Sequence, residues 1–480
     1  MAQQVTPPTP EQQAAEVELQ RKYPGYRGVG LNYLHAGPEA VERYFDLKFG
    51  LRICMGLYSM LGIEASWPLC DMSNEERQAY FDLYKEYNPV DFDAREWMDL
   101  MERGGLKYFT ILAKHHDGFS MYDTDTRVKG RLNHTAAGGP AVEACDVAYS
   151  IMETPFKRDI VKELCDAARG RDIAVDLYYS HEDWYDYDFR AGRWNPFKDP
   201  GYNRVTDPAG YARMVQRHRE QIRELLTRYG KVDMLCLDVT KVEFIEQADM
   251  LDTIRMIRAL QPEVMIRDRG VHAYGDYQTP EGKIPGTKTD LKVDRPWMSI
   301  LVLAKNYSYD PKAENYKDGS WIIENLIEIC SKGGNFMLTV GPSGKGTFHP
   351  KAVEAIEYAG DWLKVNGEAI YKTRPFEVFH EGEHIRFTRS KDERYVYAIS
   401  QQWPGKTFTV KSVTPRAGSQ IYMLGVKKPL AWRIADNSLV IEIPEQLQDE
   451  ANRPCKQAWA FRIEGCYRGT AAEGAKALEK

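Results

Sequence analysis

Where an apolar run of a sequence closes on a polar or charged residue, that side chain must find partners or meet a ligand. Four runs of this chain close that way. "TILAKHHDGF" ends in Lys114, His115, His116 and Asp117, "VDLYYSHEDW" in Tyr178, Tyr179, Ser180 and Trp184, "MLCLDVT" in Asp238, and "VMIRDRG" in Arg267, Asp268 and Arg269. A further acid, Glu281, stands in "GDYQTPEG", an irregular segment after the last of these that can fold back over the ends of the others. Carboxylates gathered beside His, Arg, Tyr and Trp suit the cleavage of an acetal: one carboxyl group protonates the leaving oxygen while another stabilises or attacks the oxocarbenium-like carbon. Asp238 is the candidate anion and Glu281 the candidate acid. Each residue taken singly has a plainer use. Asp238 can cap a following helix, the adjacent His115 and His116 point to opposite sides of a strand so that at least one of them can as well be structural as ligand-binding, and Arg267, Asp268 and Arg269 can form an ion-pair network. A metal site is a competing use of the histidines and acids, but no H-E-x-x-H or similar spacing supports it.

These residues need a frame that brings them to one place. Between residues 45 and 345, runs such as "LRICMGLYS", "LKYFTILAKHH", "IAVDLYYS", "VDMLCLDV", "EVMIRDR", "WMSILVL" and "GNFMLTVG" read as strands buried on both faces. Between them, "DAREWMDLMERGG", "FKRDIVKELCDAARGRD", "YARMVQRHREQIRELLTRYG" and "ADMLDTIRMIRALQP" carry apolar residues at helical spacing and end near Gly or Pro. Such alternation predicts an α/β fold, a (β/α)8-type barrel whose active site lies at the C-terminal ends of the strands. After "PKAVEAIEYAGDWLKVNGEAIY" the texture changes to short strands joined by turns, which predicts an antiparallel β-sandwich. The expected divisions are an N-terminal extension at 1–40, the catalytic barrel at 41–368, the sandwich at 369–468 and an exposed tail at 469–480.

Composition narrows the partners. The 480 residues carry a net charge of -6, so no basic field for nucleic acid is expected, and no stretch approaches a membrane span. The 29 Tyr and 10 Trp supply flat surfaces for sugar-like ligands. The eight cysteines are scattered without C-x-x-C or metal-type spacing and read as mostly reduced and buried. "AQQVTPPTP" is similar to the start of a mature exported protein, which predicts a periplasmic or secreted location if a signal peptide has been removed and a cytoplasmic one otherwise.

Several longer blocks, "KYFTILAKHHDGFSMYDT", "LYYSHEDW", "YGKVDMLCLD", "VMIRDRG" with "GDYQTPE", "NLIEICSKGGNFMLTVGPSGKGT" and "WLKVNGEAIYKTRPF", resemble glycoside hydrolase family 29, the retaining alpha-L-fucosidases. The resemblance implies exo-acting removal of a terminal alpha-L-sugar from an oligosaccharide or glycoconjugate by double displacement, with no metal and no cofactor. It implies Asp238 as nucleophile, Glu281 as acid/base, and sugar contacts from His115, His116, Tyr178 or Tyr179, and Arg269. Burial is then expected to keep Glu281 protonated until it is needed.

The departures point elsewhere. The family's first strand reads "F-G-x-F-x-H-W-G", its His taking the axial 4-hydroxyl of fucose, whereas this chain has "FGLRICMG" with Cys54 for the His and Met55 for the Trp. The Glu expected beside Trp67 is displaced, leaving Glu64 as a substitute only if the loop shifts. Cys236 stands for a Trp, Val239 for a Gly and Arg267 for an Asn. Two alternatives follow: an alpha-L-glycosidase preferring an L-glucoside or L-galactoside, or a non-catalytic carbohydrate-binding relative.

Overall fold

In the computed structural model, residues 34–239, 242, 244–286 and 295–467 are described, with isolated positions 10 and 14. Most of the expected N-terminal extension and the tail 469–480 lie outside them.

Seven parallel strands form one curled sheet: β1 (Phe49–Ile53), β2 (Tyr108–Lys114), β3 (Ala174–Ser180), β4 (Met234–Asp238), β5 (Met265–Ile266), β6 (Met298–Val302) and β7 (Asn335–Val340), in the order β5-β4-β3-β2-β1-β7-β6. Between the two edges runs a segment that pattern reading leaves irregular. Tyr277 bridges to Arg267 just beyond β5, while Gln278 and Glu281 bridge to Trp297 and Ile300 on the β6 side, all parallel. The Asp268 amide donates to the Tyr277 carbonyl, and the Met298 and Ile300 amides donate to Gln278 and Pro280. Residues 277–281 thus serve as the eighth stave of a (β/α)8-type barrel. Glu281 is therefore held in the barrel wall and does not fold back over the mouth from a loop. Pro280 lacks an amide donor and "QTPE" has no apolar alternation, so the strand signal is missing.

Alternation within the strands explains "MLCLD". Met234 joins an inner cluster with Met265, Met298, Met337 and Tyr108, which plugs the floor of the barrel. Leu235 and Leu237 join the larger cluster beneath the helices. With a period of two, Cys236 and then Asp238 follow Met234 on the inner side, so an outward-packing oily strand ends in an inward acid at the mouth. Helix α1 (Pro38–Leu47) closes the floor with Ala40, Tyr44 and Phe45. The expected boundary at residue 40 falls inside this helix.

The outer layer includes α2 (Ala94–Arg103), α3 (Ile160–Ala168), α4 (Pro208–Arg228), α5 (Gln247–Leu260), α6 (Gly319–Ser331) and α7 (Pro350–Asn366). Asp93, Asp159, Asp207 and Asp318 cap α2, α3, α4 and α6 by accepting backbone amides. From Thr373 onward the strands are antiparallel. A five-stranded sheet (Thr373–Glu381, Ile385–Ser390, Tyr395–Ser400, Trp459–Glu464, Ile421–Met423) faces a three-stranded one (Thr407–Val410, Ser438–Glu442, Trp432–Ala435). Phe408 and Phe461 stack between them at 4.4 Å, within one apolar cluster. Buried Arg374 pairs with Asp46 of α1 at 2.7 Å, and the Trp362 indole of α7 donates to Ala458 at 2.8 Å, fixing this unit to the barrel. Among the described residues, no helix is long and apolar enough to cross a membrane.

Candidate active site

At the C-terminal ends of the strands lies a cavity of about 300 Å³ lined by Arg52, Cys54, Glu64, Trp67, His115, His116, Trp194, Asp238, Arg269, Glu281 and Tyr307, among others. This is the low end of the usual range for ligand pockets, roughly 300–1,000 Å³, and suits one sugar residue rather than a chain.

Asp238 is held from several directions. Tyr178 donates its hydroxyl to Oδ2 at 2.7 Å, Arg269 donates to Oδ1 at 3.0 Å, the Val239 amide donates to Oδ1 at 2.9 Å, and an Arg267 nitrogen lies 3.3 Å from Oδ1. Burial opposes a charge here, yet Arg267 and then Arg269 outweigh it and hold Asp238 well below the ordinary carboxylate range. Burial and the facing Asp238 raise Tyr178, so it remains a phenol and a donor. Val239 adopts a φ of 106°. That value is costly for a β-branched residue, and here it accompanies the amide-to-carboxylate bond.

Glu281 grips the same two guanidinium groups: Arg267 donates to Oε1 at 2.9 Å and Arg269 lies 3.3 Å from Oε2, with Arg52 3.7 Å from Oε1. Burial raises this carboxyl, but Arg269 and Arg267 together bring it below its ordinary value. The expectation that burial keeps Glu281 protonated is thus reversed. Three arginines converge where the sequence pattern points to two, because Arg52 enters from the barrel interior.

The remaining expected residues divide. His115 and His116 both line the cavity, with ring centroids 4.2 Å apart. The rule that neighbours face opposite ways fails because both lie past the end of β2, whose register to β3 already shifts at Leu112/Lys114. Their Nδ1 atoms meet Ser66 and Ser180. Burial lowers both, His116 to about 4, so they face a ligand as neutral rings. Tyr179 is a correction: its hydroxyl donates to Gln221 of α4 at 2.8 Å, because it lies on the outward face of β3 beside inward Tyr178. Asp268 likewise turns aside, 3.6 Å from Arg295. Glu64 does reach the cavity, where it accepts the Tyr307 amide at 2.8 Å and is raised by burial. Trp67 forms part of the rim.

Cys54 sits in the cavity floor as a buried thiol that burial pushes up to about 12, and it donates to the Tyr58 hydroxyl at 3.7 Å. Cys165, Cys236 and Cys330 are also buried as free thiols, whereas Cys70, Cys145 and Cys455 are partly exposed. Two positions earlier on the same inward face of β1, Arg52 stands where the family's pattern carries its second Phe. Its guanidinium lies over the rings of Tyr178 and Tyr307 at 5.0 and 5.4 Å. Arg52, Tyr307 and Trp194 went unread in the sequence. Only Arg52 left a signal, a cation inside a buried strand. Among the described residues, no group of three His, Cys, Asp or Glu side chains converges as metal ligands.

Comparison with known proteins follows the same lines. Residues 34–368 match the family model "Alpha-L-fucosidase", and residues 381–464 match "Alpha-L-fucosidase C-terminal domain". The chain is 28% identical to the tissue alpha-L-fucosidase of Bos taurus over 447 residues, covering 88% of each chain. Among solved structures it is similar to alpha-L-fucosidase isoenzyme 1 of Paenibacillus thiaminolyticus, with a TM-score of 0.73, 24% identity and coverage of 89% of this chain and 98% of that one. It is also similar to a family 29 alpha-L-fucosidase of Bacteroides thetaiotaomicron trapped as a covalent intermediate. There the TM-score is 0.70, the identity 22%, and the coverage 89% of this chain and 96% of that one.

Proposed function

The chain belongs to the alpha-L-fucosidase family of glycoside hydrolases; from that premise we propose that it is retaining and exo-acting, with Asp238 as its nucleophile and Glu281 its acid/base, acting on a terminal alpha-L-fucoside of an oligosaccharide or glycoconjugate. The observation that carries this reading is the shared pair of guanidinium groups. Arg267 and Arg269 each lie against both carboxylates, which keeps the two acids facing one small volume. Two carboxyl groups drawn together in this way suit retaining hydrolysis, whereas an inverting pair is spread to admit a water.

The chemistry runs in two displacements. Asp238 Oδ1 is engaged by Arg267, Arg269 and the Val239 amide, so Oδ2, engaged by Tyr178 alone, is the oxygen free to attack C1. As the C1–O bond breaks, its electron pair passes to the aglycone oxygen, which takes the proton of Glu281. Esterification then removes the negative charge of Asp238, one of the influences that raise Glu281. The Glu281 pKa falls in consequence, and Glu281 is poised as base. It takes a proton from water, whose oxygen attacks C1 and releases Asp238. Tyr178 and the neutral histidines supply hydrogen bonds to the carboxylate and the sugar.

Cys54 favours a second reading of the sugar. A thiol engaged with a hydroxyl neighbour is a weaker donor than an imidazole to an axial 4-hydroxyl, and a hexoside with different C4 stereochemistry, an alpha-L-glucoside, or a different C6 substituent, an alpha-L-galactoside, then competes. Rates on aryl alpha-L-fucoside, alpha-L-galactoside and alpha-L-glucoside, each with retention checked by NMR of the first-formed product, test both readings. Preference for the fucoside upholds the first, preference for another sugar the second, and an inverted product refutes the mechanism. The exported location expected from the N-terminal residues is a proposal to be tested by cell fractionation.

A further inference from the structure

The residues lining the cavity differ sharply in exposure. Arg52, Cys54, His115, His116 and Asp238 are buried at its floor, whereas Trp67 and Trp194 are 37% and 43% exposed. Among the exposed large apolar side chains of the described residues, these two are the aromatic ones, and both stand on this rim. Their rings meet edge to face at 5.9 Å and 89°.

The outer tryptophan belongs to a built feature. Glu182, fully buried, accepts the Trp184 indole at 2.7 Å and the Trp194 amide at 3.3 Å. The chain reaches Glu182 because Gly192, at a φ of 126°, passes so close that an added Cβ would lie 2.6 Å from its Oε1. Asn195, also buried, donates to the Phe189 carbonyl at 2.6 Å and accepts the Phe197 amide at 2.8 Å. Arg193 lies over the Trp194 ring at 4.9 Å. The Trp194 indole N–H has no partner among the described residues. Exposing a large aromatic ring on an anchored loop forgoes the benefit of burying it, which is the usual signature of a ligand surface.

On the reading given above, the terminal sugar occupies the floor and its aglycone leaves across the rim, where Glu281 meets the glycosidic oxygen. We infer that Trp194, backed by Trp67, forms a leaving-group subsite for a sugar ring, so that the substrate is a glycan rather than a glycoside of a small alcohol. A pyranose lays its axial C–H groups on an indole face, and the free indole N–H and Arg193 supply donors for its hydroxyls.

The test compares one terminal sugar on two leaving groups: alpha-L-fucosyl disaccharides of the common linkages, and alpha-L-fucosyl fluoride, whose leaving group cannot stack. In Trp194→Ala the ratio of kcat/KM on the best disaccharide to that on the fluoride should fall at least ten-fold, with the loss mostly in KM, and Trp194→Phe should restore most of it. A ratio unchanged in Trp194→Ala overturns the subsite, as does a wild-type enzyme that cleaves the fluoride and none of the disaccharides. Both of those results leave the hydrolase reading standing. Inactivity of the wild type on both substrates sinks the fucoside reading and the subsite with it.

Discussion

The two walls of the cavity are built on opposite principles. On the β4–β5 side, Asp238 is held by Tyr178, Val239, Arg267 and Arg269, and those arginines go on to Glu281. On the β1 side, the Arg52 Nε and Nη1 atoms are buried without a hydrogen-bond partner, and the Cys54 thiol has only a long contact to Tyr58. Buried donors left open are costly, so these nitrogens favour a ligand that brings acceptors, although Arg52 also lies 3.7 Å from Glu281. On the proposed mechanism the first wall does the chemistry and has its geometry set in advance. The second offers its donors to the sugar. Both walls depart from the resembled pattern, the first at Cys236, Val239 and Arg267 and the second at Cys54 and Met55, while both proposed catalytic acids stand in place.

The strongest way to break the comparison is at Asp238. Asp238→Gly should lower kcat by about 10⁴-fold, the scale on which loss of one member of a catalytic unit is felt. Azide, filling the space left by the carboxylate, should restore turnover and yield a glycosyl azide. A variant with normal activity would show that the acid merely caps the end of its strand.

Glu281→Gln comes next, at about 10² to 10⁴-fold on a poor leaving group and far less on the fluoride, which needs no proton. The charge around this acid also fixes a pH dependence. Glu281 must carry a proton to act first, and its neighbours hold its pKa below the ordinary value. The alkaline limb of kcat/KM should therefore lie on the acidic side of neutrality. Removing a cation weakens the ionised form, raises the pKa and moves that limb to higher pH. Arg267→Asn should do so, and a limb that stays in place would mean Glu281 is not the group being titrated.

Much of the first wall was legible. Apolar runs that read as strands buried on both faces and close on polar residues, alternating with helical patterns, pointed to the barrel, its mouth and Asp238. The eighth stave was not, since residues 277–281 are held by backbone bridges and carry no pattern that announces a strand. Tyr178 and Tyr179 could be told apart only by which face of β3 each occupies. Arg52 departs from the first-strand motif, and Trp194 belongs to none. The first acts through its depth in the barrel, and the second through a loop whose course depends on a buried glutamate far from it in any linear pattern.

Arg267 and Cys236 offer a sharper comparison within the first wall. In the pattern this chain resembles, Trp and Asn stand where it has Cys236 and Arg267, and the Arg267 guanidinium lies 3.4 Å from the Cys236 sulfur. Arg267→Asn alone leaves buried carboxylates short of a partner and should cost about 3–5 kcal/mol in unfolding free energy. Combined with Cys236→Trp it should cost less than the two single changes added together, by about 0.5–3 kcal/mol. Additive effects in denaturant melts would show that the two positions changed independently.

The smallest effect belongs to the second wall. Cys54→His restores a donor to the cavity floor. A net hydrogen bond is worth about 0.5–1.5 kcal/mol, so the ratio of kcat/KM on aryl alpha-L-fucoside to that on aryl alpha-L-glucoside should rise roughly 2- to 13-fold. Since the new ring must displace the contact to Tyr58, Tyr58→Phe in the same background separates a steric penalty from a recognition gain. If the ratio does not move in either background while Arg52→Met changes it, the sugar's 4-hydroxyl is read by the guanidinium two residues earlier on the same face of β1. The second wall would then be a replacement for the family's reader of that hydroxyl rather than its loss.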